Sequence, residues 1–177
     1  MIEEQLKTYI RDIPDFPQPG IVFKDITPLL QQPEIVKLAV QEFAKKLEGI
    51  EIDVIAGIES RGFLFGFLLA QELNKPFVPI RKQGKLPFHT ISESYKLEYG
   101  QATIEMHEDA IQQGTKVLMH DDLLATGGTV VAASKLVEKL GGVITGYSFV
   151  ISLDFLQSAG RLTRFSENII SLVHYAD

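Results

Sequence analysis

The chain has no cysteine, so neither a disulfide framework nor a thiolate zinc site can form, and a reducing compartment suits it. It also lacks any apolar run near the roughly 20 residues that a membrane-spanning helix requires. Positive charge is scarce: 17 Lys and Arg against 23 Asp and Glu leave a net charge of −6. That balance argues against the broad basic surface that nucleic-acid binding needs to displace counterions. Any polyanionic ligand must therefore meet local cations. None of the four histidines stands at metal-ligand spacing from another His, Asp or Glu, so no transition-metal site is expected. Repeats, low-complexity tracts and linkers are missing too. The start, MIEEQLKTYIRDI, is acidic and amphipathic rather than a basic secretory leader, and a soluble, cytoplasmic protein without a membrane partner is expected.

What is present suits one domain. The 177 residues, 45% of them hydrophobic, can bury a good core once but not comfortably twice, so a single domain over residues 1–177 is expected. Its most informative stretch is VLMHDDLLATGGT, Val117 to Thr129. Val117, Leu118 and Met119 have the character of a strand, which delivers Asp121 and Asp122 to its end. Then come the small residues Ala125, Thr126, Gly127, Gly128 and Thr129, followed by Val131, Leu136, Val137 and Leu140 at helical spacing. Such a turn can aim backbone N–H groups, Thr hydroxyls and the positive end of a helix dipole at a phosphate. Carboxylates would repel that phosphate, so Asp121 and Asp122 must meet another part of the ligand. A ribose diol near a 5′-phosphate fits. Two other phosphate loops are excluded: no Lys-Ser/Thr pair follows the glycines as in a P-loop, and no G-x-G-x-x-G is present.

Residues Val117 to Thr129 resemble the signature of the phosphoribosyltransferases that use 5-phosphoribosyl 1-pyrophosphate (PRPP): four apolar residues, two acids, two apolar residues and a small, Gly-rich phosphate loop. His120 stands where that pattern has an apolar residue. The string IESRGFLFG, Ile58 to Gly66, places Arg61 between a strand end and a helix that carries Phe63, Leu64, Phe67, Leu68 and Leu73 and is expected to be buried. A planar guanidinium beside free backbone N–H groups suits a diphosphate. The string resembles the pyrophosphate loop of the adenine phosphoribosyltransferases in particular. That resemblance implies PRPP contacts at Glu59, Ser60 and Arg61, and a non-proline cis peptide between Glu59 and Ser60.

A second basic cluster, Arg81-Lys82-Gln83-Gly84-Lys85-Leu86-Pro87, reads as a mobile loop because Gly84 and Pro87 break it. It continues into TISESYKLEYG, Thr90 to Gly100, and the two strings together resemble the flexible hood loop of the same enzymes. The resemblance implies that Arg81, Lys82, Lys85 and Tyr99 serve the pyrophosphate, Arg81 in some members from the neighbouring subunit. It also implies that Glu98 handles the proton of the base.

Residues 1–33 are expected to form an arm over the base. Within them PDFPQPGIVFKDITP holds four prolines and cannot be a regular helix, while Phe16, Ile21, Val22, Phe23 and Ile26 argue for order. Its similarity to the adenine enzymes implies that Phe23 stacks on the purine and that main-chain groups at Val22 and Lys24 read the base edge. Among the remaining residues, Glu105 and His107 alternate like an exposed strand face, His120 reads as a hydrogen-bonded core residue, and His174 reads as structural. Asp154, Arg161 and Arg164 lie in a segment without a motif.

The coarse order is helix (2–12), proline arm, helix (34–47), strand (52–58), helix (61–74), strand (77–81), basic loop, short strands (95–107), strand (115–120), helix (128–140), and strands at 143–153 and 169–174. Such alternation predicts an α/β fold: a doubly wound, mostly parallel sheet with helices on both faces, an N-terminal hood arm and a flexible catalytic loop, with ligands at the strand C-termini. The resemblance implies purine salvage: adenine and PRPP giving AMP and pyrophosphate, with magnesium bound mainly through PRPP and no direct metal ligand, in a homodimer. Asp121, Asp122, Arg61 and Glu98 would be the catalytic groups. Two rivals remain at this level. A sister enzyme for another base would lack PQPGIVFKD, and a PRPP-sensing regulator would carry an added DNA-binding domain or lose the catalytic loop.

Overall fold

In the computed structural model, which describes residues 1–97 and 100–176, a seven-stranded sheet forms the middle of the molecule. Its strands are β3 (Val54–Ile58), β4 (Phe77–Lys82), β5 (Thr90–Lys96), β6 (Gln101–His107), β7 (Lys116–Leu124), β8 (Val143–Leu153) and β9 (Ile169–Tyr175). They lie in the order β5-β6-β4-β3-β7-β8-β9. The run from β4 to β9 is parallel, and β6 and β5 are added antiparallel at one edge. Strand β3 shows why the middle is parallel: all five residues of VIAGI are buried, as happens when helices cover both faces. Helix α5 (Gly128–Lys139) covers one face with Val130, Ala133, Leu136 and Val137. Helices α1 (Ile2–Lys7), α3 (Pro33–Lys46) and α4 (Gly62–Glu72) cover the other with Leu6, Val40, Phe43, Phe65 and Leu69. The doubly wound expectation holds.

Four local expectations need correction. The first helix ends at Lys7, not residue 12, because Arg11–Pro14 is strand β1, paired antiparallel with β2 (Val22–Asp25) in a separate two-stranded sheet. Pro14 excludes helix for the residue before it, which favours this early stop. The proline arm is thus ordered, with a short helix, α2 (Thr27–Leu30), leading out of it.

Second, α4 is not wholly buried. Phe65 and Leu69 face the core, whereas Leu64, Phe67 and Leu68 are exposed at 43%, 52% and 41%. Third, Thr90–Lys96 is regular strand rather than loop, docked on α5 through Glu93, which meets Lys135 at 3.2 Å and Lys139 at 2.7 Å. Its polar sequence conceals a two-residue period in which Ile91, Glu93 and Tyr95 turn inward. Fourth, Glu105 is buried instead of exposed. It accepts hydrogen bonds from the Lys85 and Leu86 N–H groups, at 3.1 and 2.8 Å, and so pins the basic loop to β6.

Candidate active site

The C-terminal ends of β3, β4 and β7 lie side by side, and the loops leaving them border one cavity of about 350 Å³. Glu59, Ser60 and Arg61 enter it from the β3 end, Lys82 from the β4 end, and Asp121, Asp122 and Thr129 from β7 and α5. A depression at the opposite, N-terminal end of the sheet, around Asp53 and Lys116, contains none of the candidate site residues.

Strand β7 carries its two acids further than the apolar run suggests. It continues through them to Leu124, with Asp121 in register with Phe149 of β8. The carboxylates are therefore held by a strand that β8 still pairs after its pairing with β3 has ended at His120. Burial, and then the neighbouring charge of Asp122, push the Asp121 carboxyl well above its ordinary range. Burial also raises Asp122, against the opposing pull of Arg61. Arg61 Nε lies 2.9 Å from Asp122 Oδ2. That contact is an ion pair with poor hydrogen-bond alignment, so the buried Oδ2 has no donor aimed at it. Asp121 Oδ1 accepts the Asp122 N–H at 2.9 Å.

Beside the acids, the β7–α5 turn brings together Ala125, Thr126, Gly127, Gly128 and Thr129. Gly127 takes a left-handed conformation (φ +77°) at the N-cap of α5, where no side chain caps the first-turn N–H groups. Thr129 Oγ1 donates to Tyr95 Oη at 3.0 Å, which ties the turn to β5. At the β3 end the Glu59–Ser60 peptide is cis, as the sequence resemblance implies. Gly62 follows, and a Cβ there would lie 2.8 Å from Asp121 Oδ1, so only glycine lets this helix start approach the acids.

The basic cluster divides. Arg81 turns to its own subunit's Glu59, at 3.1 Å, and to the Lys85 carbonyl, at 3.1 Å. Burial alone would raise the Glu59 carboxyl, but the Lys82 N–H and the Arg81 guanidinium outweigh it and hold it low. Lys82 lines the cavity; Arg81 and Lys85 do not. Glu98 and Tyr99 lie outside the described residues.

From the arm, Phe23 reaches the cavity through Arg61, whose guanidinium carbon sits 4.7 Å from the ring centroid. Phe16 packs edge-on against Phe23, with centroids 5.2 Å apart. The Lys24 side chain points elsewhere, to Asp12 at 2.8 Å and over the Tyr175 ring at 3.9 Å. Any reading of a ligand near Lys24 thus falls to its main chain. Strand β2 has only β1 as a strand neighbour among the described residues, so its other edge keeps main-chain groups without strand partners.

His120 is the core residue its setting suggests. Its Nδ1 lies 2.8 Å from Ser148 Oγ, and burial pushes its pKa down to about 3. His174 ties Asp154 (2.9 Å) and Glu3 to the last strand. Sequence reasoning missed Leu123 and Tyr95 as lining residues and Arg161 as a contact of the β7–α5 turn. The inward period of β5 could have revealed Tyr95; no local pattern reveals Arg161.

Comparison with known proteins gives a consistent result. Residues 25–153 match the family model of the phosphoribosyl transferase domain. An adenine phosphoribosyltransferase of Cytophaga hutchinsonii is 52% identical over 175 residues, covering 99% of this chain and 97% of that one. Among solved structures, the adenine phosphoribosyltransferase of Thermoanaerobacter pseudethanolicus superposes with a TM-score of 0.93 at 48% identity, covering 99% of this chain and all of that one. The Saccharomyces cerevisiae enzyme, complexed with adenine and an imino-altritol bisphosphate, gives 0.90 at 38% identity and covers 97% and 98% of the two chains.

Proposed function

The chain belongs to the phosphoribosyl transferase domain family and carries out the adenine reaction of purine salvage, AMP and pyrophosphate from adenine and PRPP; we propose how its residues divide that work. One observation supports the division most: a buried and a half-buried carboxylate, an arginine and an uncapped helix N-terminus share one cavity. The α5 N-terminus and the Thr126 and Thr129 hydroxyls take the 5′-phosphate. Asp121 and Asp122 take the ribose hydroxyls, which supply the donor that Asp122 Oδ2 lacks. As the bond to pyrophosphate breaks, the anomeric carbon becomes cationic, and the same carboxylates face that charge. Arg61 exchanges its ion pair with Asp122 for the diphosphate, together with Ser60 and Lys82; Arg81 and Lys85 join it by turning inward or from a second subunit.

Magnesium would come with PRPP, held mainly by the substrate's diphosphate and ribose hydroxyls, and would neutralise charge on the leaving group. Phe23 stacks on adenine once Arg61 has moved. The free edge of β2 at Val22 and Lys24 reads the base, Glu98 handles its proton, and Tyr99 serves the pyrophosphate. All this sits in a single domain whose residues 1–33 form the base arm. Two copies pair, consistent with the exposed apolar face of α4. Among the described residues no helix is long and apolar enough to cross a membrane, which suits a cytoplasmic enzyme.

The test is pyrophosphate release from PRPP with adenine, hypoxanthine and guanine in turn. Adenine presents a donor beside an acceptor where the other two present the reverse, so a main-chain reader leaves groups unpaired on the wrong base. A preference of about 10⁴-fold or more for adenine is expected. Efficient turnover of hypoxanthine would refute the base assignment and leave the phosphoribosyl chemistry standing.

A further inference from the structure

The short turn Ser158–Arg161, which follows β8, touches the phosphate loop from outside the cavity. Arg161 Nη1 donates to the main-chain oxygen of Thr126 at 2.8 Å, although 35 residues separate them. Ser158, itself buried, brings its Cβ to 3.4 Å from where a side chain on Gly127 would begin, and Arg161 Cδ stands 3.9 Å from the same point. Arg161 does not line the cavity; it holds the loop by its back.

The consequence follows from peptide geometry. In a trans peptide the C=O and the following N–H point in opposite directions. A guanidinium that draws the Thr126 carbonyl outward therefore turns the Gly127 N–H inward. Were the peptide free to flip, as the left-handed Gly127 would allow, its carbonyl could face the cavity and repel an anion. A cation on the carbonyl also polarises the peptide and strengthens the N–H as a donor.

We propose that Arg161 is a positioning residue for phosphate binding: it fixes the Thr126–Gly127 peptide in the one orientation that offers an N–H to the ligand's 5′-phosphate. The proposal rests on the reading that the β7–α5 turn holds that phosphate.

The experiment compares AMP with adenosine, which differ only by the phosphate, by calorimetric dissociation constants on the full chain. Arg161→Ala should weaken AMP about tenfold, the worth of one charge-assisted hydrogen bond, and leave adenosine unchanged. The KM for PRPP should rise by a similar factor with a smaller change in kcat. Arg161→Gln, which keeps a donor but no charge, should fall between wild type and Arg161→Ala. Equal weakening of AMP and adenosine, or no change in either, overturns the positioning role, because a residue that only stabilises the fold cannot discriminate between them. Thr129→Ala serves as the control. If it alters the AMP-to-adenosine ratio and neither Arg161 variant does, the Arg161 proposal alone fails; if it leaves the ratio intact too, the assignment of the phosphate to this turn fails.

Discussion

The β7–α5 turn and the β1–β2 arm both border the site, yet they are held by opposite means. Asp121 and Asp122 sit on a central strand, paired with β3 up to His120 and with β8 to its end, and the turn beyond them is braced by Tyr95 and Arg161. The arm is a two-stranded ribbon outside the main sheet, with Phe16 and Val22 about half exposed. Ion pairs hold its two strands together, Lys24 to Asp12 and Arg11 to Asp25 at 2.9 Å, and side chains join it to the body, Lys24 over the Tyr175 ring and Phe23 against Arg61. On the proposed division of work, the groups that face a developing charge are fixed by the core, where misplacement is costly, and the groups that choose among bases are mounted on a ribbon outside the main sheet.

Damage to the two regions should differ in kind. The largest effect is expected from Asp122→Asn: turnover falls by on the order of a hundredfold, the scale of one lost preorganised contact, with adenine affinity little changed. Normal turnover in a steady-state assay would take the acid pair out of the chemistry. Arg61→Ala comes next. Binding of PRPP and of pyrophosphate should weaken by roughly tenfold or more, as for a lost charge-assisted contact, while adenine is spared. Equal loss for all three ligands in binding assays would make Arg61 a packing residue. On the arm, Phe23→Ala should weaken every purine by about tenfold through the lost stacking face, without changing pyrophosphate binding. If pyrophosphate binding follows, the two regions are not separable.

The smallest effect sharpens the contrast through stability. Between the carboxyl's ordinary value of 3.8 and its raised folded one, Asp121 holds a proton in the folded protein that the unfolded chain gives up. Stability of the ligand-free protein therefore falls as pH rises from that ordinary value through the raised one, and is flat beyond. Asp121→Asn removes the penalty. It should raise the neutral-pH Tm by roughly 2–4 °C for each kcal/mol relieved, while lowering turnover. An unchanged or lower Tm would mean that the carboxylate costs the fold nothing.

Much of this was legible in the residues themselves. Apolar runs alternating with helical spacing mark the parallel sheet, and the acids followed by small residues mark the turn at Asp121 to Thr129. The less legible features depend on tertiary context. Two adjacent aspartates look like the end of a strand, and pairing with β3 does stop at His120, yet β7 passes through them because β8 goes on pairing with its backbone to Leu124. The alternation in Thr90–Lys96 is hidden by polar residues on both faces, since the inward Glu93 is satisfied by lysines of α5. Glu105 looks like a surface acid until the N–H groups it accepts, some 20 residues away, are in place. Arg161 has no local signature because its partner is a backbone carbonyl.

The bare face of Gly62 against Asp121 has a bearing on how such a protein can change over generations. The start of helix α4 and strand β7 interlock there as tightly as two teeth of a gear, so a side chain gained on the helix has to be answered by a retreat of the strand. Variation is thereby channelled away from the pair. The ribbon at residues 11–25 is free of that interlock, and a lineage exploring new bases could redraw it while inheriting the sugar-handling half unchanged.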